Sequence, residues 1–293
     1  MDIFEFVRSF EEYSKLSNEE ILNLKELNLD DKQLTSLPES IGKLKNLEVL
    51  SLFENRLTSL PESIGKLTNL RELDVPENRL TSLPESIGKL KNLQTLNLSE
   101  NQLTSLPESF VNLSNLEQLW LSENQLHSLP ENIGKLKKLV MFYSDNNNIS
   151  SLPEGIGKLT ELQQLYLSNN RLTSLPESIG KLTNLRDLYL HDNQLTSLPE
   201  SIGKLTNLWD FYLHDNQLSS LPESFGDLSK LQELYLANNQ LNPQAQNVLK
   251  TLVMTNSVIT YISTDDFDFS EEIERNVRGE PAPGRTTVKS VEF

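Results

Sequence analysis

The chain has 293 residues, of which 57 are Leu, about half of its 37 % hydrophobic content; Cys is absent, and 26 Lys+Arg stand against 42 Asp+Glu for a formal charge of -16. Without Cys there is no disulfide framework, thiolate zinc site or cysteine nucleophile, and three His cannot make a His-rich metal cluster. The charge opposes nucleic acid and anionic membrane, both polyanions, and a core carried by one residue type points to a small packing unit used many times.

In chain order, the first stretch mixes Asp2, Glu5, Arg8, Glu11 and Glu12 with apolar residues, so it lacks the apolar region of a secretory signal. Nowhere do eighteen apolar residues run together. A soluble chain of a reducing compartment is expected. Ile3, Phe6, Val7 and Phe10 fall at helical spacing. Ser17 and Glu20 then fit a capping box before Ile21 and Leu22. Residues 1–23 therefore read as a helical N-terminal cap.

From 24 to 241 the segment L-x-x-L-x-L-x-x-N-x-L recurs, with Asn at 55, 78, 101, 124, 147, 170, 193, 216 and 239 and Lys32 one period earlier. The period is 23 residues, giving ten units. In each, the L-x-L pair alternates like a short strand with Leu inward. No unit buries its Leu alone; stacked units share a parallel sheet and a continuous core. Each Asn sits where the chain leaves the strand and can pair with backbone groups of adjacent turns. The returning half carries Pro at 38, 61, 84, 107, 130, 153, 176, 199 and 222, followed by Glu and an I-G or F-G element. That pattern predicts a one-turn 3₁₀ helix with Pro at its first position, on a solvated convex wall. Two units depart from it. LVMFYSDNNNI puts Phe142 and Ser144 at Leu positions, which predicts either compensation in volume or a local bend. PESFVNLSN lacks its Gly, which should alter one convex turn.

After the repeats, Asn242-Pro243 reads as an N-cap and first helical residue, with Val248, Leu249 and Leu252 apolar, so 242–263 forms the C-terminal cap. Residues 264–293 are polar, acidic and punctuated by Pro and Gly, and are expected to be disordered.

The segments LRELDVPENRL, LQTLNLSENQL and LRDLYLHDNQL resemble the leucine-rich-repeat signature. LTSLPESIGKLTN is similar to the subclass found in bacterial proteins and in intracellular Ras-pathway scaffolds. The resemblance implies an α/β solenoid, a curved right-handed horseshoe with its parallel sheet concave, 3₁₀ turns convex and helical caps at both ends.

Because that architecture hosts many functions, the exposed strand positions must carry this one. One column reads Trp120, Tyr143, Tyr166, Tyr189, Tyr212 and Tyr235 in consecutive units, with Trp209 in an adjacent column. At a strand spacing of about 4.8 Å the stripe runs on the order of 25 Å. It reads as a binding surface; aromatic packing across the sheet is the competing explanation. Seventeen acids, Asp187, Asp192, Asp210 and Asp215 among them, face the same side against Lys25, Arg71 and Arg186. An acidic, aromatic bowl suits the Lys and Arg side chains of a partner. His191 and His214 occupy one column, each followed by Asp, and are counted among the partner-binding residues. Since Asp192 and Asp215 belong to a different column, no metal or other cofactor is expected. Ser168 with His191 lacks a nucleophile elbow and an oxyanion hole.

The expectation is a monomeric, non-catalytic interaction module that binds a basic protein on its concave face, with hot spots at Tyr166, Tyr189, Tyr212 and Trp209. Resemblance narrows it: a signal-less, Cys-free repeat protein with an acidic tail looks like effectors that intracellular bacterial pathogens deliver into host cells. Glu271, Glu272 and Glu274 resemble glutamate-rich type IV secretion signals. The protein is then cytoplasmic, or exported by a type III or type IV system. Alternatives are an endogenous cytoplasmic signalling scaffold and a carbohydrate-binding module that stacks sugars on the stripe.

Overall fold

The computed structural model describes residues 1–256, 258–265, 269–270, 273–274 and 278. Among the described residues, helices α1 (Ile3–Arg8), α2 (Asn18–Leu22) and α3 (Pro243–Thr255) flank a parallel sheet. Its strands are β1 (Glu26–Asn28), β2 (Val49–Ser51), β3 (Glu72–Asp74), β4 (Thr95–Asn97), β5 (Gln118–Trp120), β6 (Met141–Tyr143), β7 (Gln164–Tyr166), β8 (Asp187–Tyr189), β9 (Asp210–Tyr212), β10 (Glu233–Tyr235) and β11 (Tyr261–Ser263). They pair in sequence order. From β1 to β10 the register advances by one 23-residue unit, so a given repeat position forms a straight column across the sheet. This is the α/β solenoid expected from the repeat.

The central residue of every strand from β1 to β10 points into the core, from Leu27 to Leu234, and is at most 1 % exposed. Phe142 and Ser144 are both fully buried, and β6 keeps its register with β5 and β7. The sheet does not slip at this unit: the large and small residues fill the space of two leucines.

Asparagine holds the turns. The Asn193 amide donates to the carbonyls of Leu167, Leu190 and His191 at 2.9, 3.1 and 3.3 Å, while its oxygen accepts from Leu172 N–H at 2.9 Å. The same pattern recurs at Asn78, Asn101, Asn124, Asn170 and Asn216. A second ladder runs along the edge of the solenoid: Asn69, Asn92, Asn115, Asn184 and Asn207 each donate to a carbonyl 24 residues earlier. Where Lys replaces Asn in this ladder, Lys138 and Lys230 donate instead to Asn115 and Asn207.

The convex turns are 3₁₀, but Pro stands at the N-cap rather than at the first helical position. Pro38, for example, is extended at φ -72°, ψ 146°, and its carbonyl accepts from Ile41 N–H. The missing Gly alters one convex turn, that of the following unit. Gly88 lies so close to the next turn that a Cβ there would meet Ser109 O at 2.3 Å. Val111 holds that position one unit on. The turn containing Val111 keeps five residues, Glu108–Asn112, whereas the turn beneath it shortens to Ile133–Lys135. The side chain displaces its neighbour, since a Cβ has no room against an adjacent backbone.

At the N-terminal end Ile3, Phe6, Val7 and Ile21 close the core, and Ser17 and Glu20 make the reciprocal capping bonds. At the other end Asn242 accepts from Ala245 N–H at 3.1 Å ahead of Pro243. The segment after α3, read as part of a helical cap, adds strand β11 beside β10. Asn256, fully buried, donates to Leu228 and Leu231 and so repeats the turn chemistry at this edge. The expectation of disorder over 264–293 falls largely outside the described residues. Within that stretch Phe269 is 3 % exposed and joins the core.

Candidate functional site

The concave face is built from the outward residues of three-residue strands, and its columns are set by the 23-residue register. In the middle column the rings pack on one another, mostly face to face, with Tyr143 and Tyr166 edge to face. Trp120 lies 5.9 Å from Tyr143 and Tyr143 4.5 Å from Tyr166; Tyr166–Tyr189, Tyr189–Tyr212 and Tyr212–Tyr235 follow at 4.1, 4.2 and 4.2 Å. All six are half-buried. Tyr261, which sequence reasoning missed, extends the stripe: its ring lies 4.9 Å from Tyr235, although its backbone pairs with Glu233. Nothing in the repeat pattern marks that residue, because β11 lacks the signature.

Two phenol hydroxyls share one acceptor: Tyr212 and Tyr235 both donate to Glu233 at 3.2 Å. Tyr143 donates to Gln164, whose amide donates to Asp187 at 2.6 Å. Burial, followed by the neighbouring phenols, pushes Tyr166 and Tyr212 well above the ordinary tyrosine range. Since the rings cover one another's faces, a partner meets mainly their edges and hydroxyls. The stripe therefore packs across the sheet and keeps part of each ring accessible.

Trp209 is 39 % exposed, but Arg186 lies over its ring at 4.8 Å. One of the few concave cations thus already occupies this face. Beside the stripe, Asp187, Asp210 and Glu233 are direct cross-strand partners. Burial, then Asp187 and Glu233, raises the Asp210 carboxyl above its usual value.

His191 and His214 stack at 4.5 Å, 9° from parallel. Ser168 Oγ lies 2.7 Å from His191 Nδ1. The expected separation of Asp192 from the His column does not hold. Asp192 takes the left-handed conformation at φ 53°, which returns its carboxylate to the pair. The ligating atoms of His191, Asp192 and His214 all lie within 4.8 Å of one another. Asp215 Oδ2 is 4.0 Å from His214 Nε2, and its other oxygen accepts from Asn238. Burial, then His214, lowers the His191 pKa. Ser168 and His191 do not form a hydrolytic triad: Ser168 is 2 % exposed, and Asp145 backs the serine instead of the histidine.

Among the described residues no helix is long and apolar enough to cross a membrane. Residues 5–80, 63–146, 117–194 and 142–208 match a family model described as a leucine-rich repeat region, and 183–241 match a second, described as leucine rich repeat. A leucine-rich-repeat protein of Leptospira interrogans has a similar structure, with 34 % identity and a TM-score of 0.68 over 85 % of this chain and 69 % of its own. The plant peptide hormone receptor RGFR1, solved with RGF2, shares 32 % identity at a TM-score of 0.72, covering 83 % of this chain and 40 % of the receptor. The ectodomain of the Arabidopsis thaliana membrane receptor kinase GASSHO1/SCHENGEN3, solved with CASPARIAN STRIP INTEGRITY FACTOR 2, shares 34 % identity at a TM-score of 0.69, covering 78 % and 28 %. The chain spans less than half of each plant receptor. No curated protein matches it.

Proposed function

The chain belongs to the leucine-rich-repeat family, and from that premise we propose that it is a non-catalytic module that captures a protein with a basic surface on its concave face. One observation carries this. Asp187, Asp210 and Glu233 stand directly opposite one another on β8, β9 and β10, where like charges destabilise a sheet. The fold does not need acids there; the equivalent position is Thr95 in β4 and Met141 in β6. A partner's Lys or Arg would relieve the repulsion, and Arg186 over Trp209 shows the kind of contact an Arg makes on this face.

The test is Asp187→Asn with Asp210→Asn, which retains shape and the Gln164 hydrogen bond. Proteins captured from a lysate by the wild type should be lost, association should slow with added salt, and thermal stability should hold or rise. If the variant captures the same proteins equally well, the concave acids are not the binding surface. A narrower element of the proposal is delivery into a host cell, supported by the glutamate-rich run near the C-terminus, which lies largely outside the described residues. Deleting 271–293, which spares the buried Phe269, should abolish translocation and leave partner binding intact. Translocation that persists identifies the tail as ordinary acidic chain, and an endogenous scaffold then fits better.

A further inference from the structure

We propose that His191, His214 and Asp192 form a binding site for one divalent transition cation of the zinc class, with Asp215 as the fourth ligand. The site stands apart from the partner proposal and needs no second chain. Two imidazoles and carboxylate oxygens are the donor set that such cations take in proteins. Three of the four residues already hold ligating atoms within 4.8 Å of one another. Asp215 Oδ2 lies 4.0 Å from His214 Nε2, with its other oxygen anchored by Asn238 at 2.8 Å.

What separates this cluster from an ordinary patch of acids is its support. A histidine ligand needs its second nitrogen held by a hydrogen bond, so that the first presents a lone pair. His191 has that arrangement. Its Nδ1 meets Ser168 Oγ at 2.7 Å; with Nδ1–H as the donor in that bond, Nε2 carries the lone pair a cation needs. Both Asp145 and Ser168 are held from the backbone side, since Ser168 N–H donates to Asp145 at 2.8 Å. His214 differs: its Nδ1 is buried with no partner. No hydrogen bond at Nδ1 fixes that ring's χ2, a broad torsion in histidine.

Turning is required. Ligating atoms around a tetrahedral zinc ion with bonds of about 2.0–2.2 Å lie closer together than 4.8 Å, and the lone pairs of parallel rings do not converge. Capture therefore unstacks His214 from His191, while the serine keeps His191 in place. Asp192 and Asp215 occupy the left-handed position of consecutive units, at φ 53° and 55°, so the backbone presents both carboxylates identically, one repeat apart.

The experiment is titration of the full chain with Co²⁺ alone, followed by visible absorption, and then displacement by Zn²⁺. The wild type should take up one equivalent with the intense bands of a low-coordinate ion, and Zn²⁺ should abolish them. His191→Ala with His214→Ala should lose that uptake while its circular dichroism stays that of the wild type. Ser168→Ala should retain the stoichiometry and weaken binding by roughly 10–100-fold, the effect of removing an outer hydrogen bond. No saturable uptake by the wild type overturns the assignment. So does equal uptake by the double variant, which would place the ion on the carboxylates of the acidic face.

Discussion

Replacing Tyr212 by Ala separates the two roles of the aromatic stripe. Its ring packs between Tyr189 and Tyr235, each 4.2 Å away, and its hydroxyl donates to Glu233. Each aromatic pair contributes about 0.5–1.5 kcal/mol beyond the area it buries. Loss of both pairs should therefore destabilise the protein by about 1–3 kcal/mol. Tyr212→Phe keeps the stacks and removes one half-exposed hydrogen bond, so it should cost no more than about 1 kcal/mol. Equilibrium urea unfolding, read by circular dichroism at constant m, measures both. Adding Tyr189→Ala breaks a third pair, that with Tyr166 at 4.1 Å. Binding lost in that double variant would consequently mix recognition with stability, and Tyr212→Phe is the cleaner probe of recognition. If Tyr212→Ala unfolds at the wild-type midpoint, the rings do not support the sheet and the stripe serves binding alone.

Other consequences can be checked in the same assay. Asn193→Ala strands the buried N–H of Leu172 and the carbonyl of Leu167, costing about 1–3 kcal/mol for each; Asn193→Asp should cost more, because a carboxylate would face three carbonyl oxygens. Glu100 adopts φ 53°, a left-handed conformation that Asn tolerates far better, so Glu100→Asn should raise stability by up to about 1 kcal/mol. The stripe phenols are held above the ordinary value of 10.0, by burial first. Their stabilising effect is complete below that value and is lost as pH rises through it, when the unfolded chain gives up protons that the native chain retains. Unfolding midpoints should fall on the alkaline side, less steeply in Tyr212→Phe.

How much of this was legible follows from what each residue answers to. The 23-residue period, the Leu core and the Asn turns are local and repeated, so the sequence displays them many times over. The aromatic column was equally legible because strand register maps sequence position directly onto space. Legibility ended wherever backbone conformation overrode column arithmetic. Asp192 joins His191 only because its φ is positive, and the pattern assigns it elsewhere. Val111 acts on the turn below its own because the Gly it replaces touches the next unit. Tyr261 pairs through a strand with no signature. That the rings cover one another, and that Arg186 covers Trp209, depends on rotamers, about which spacing is silent.

The left-handed position also says which part of the acidity the fold explains. It is occupied in turn by Asp31, Glu54, Glu77, Glu100, Glu123, Asn146, Asn169, Asp192, Asp215 and Asn238. Asn and Asp suit that conformation, so the acids of the last units partly follow from backbone need. The four glutamates do not: each is strained, and burial together with Glu77 and Glu123 raises the pKa of Glu100. In the C-terminal half the cost takes another form, the opposed carboxylates of Asp187, Asp210 and Glu233. Neither the strained glutamates nor the opposed carboxylates follow from the rules of the repeat, and both are costs that the proposed basic partner would offset.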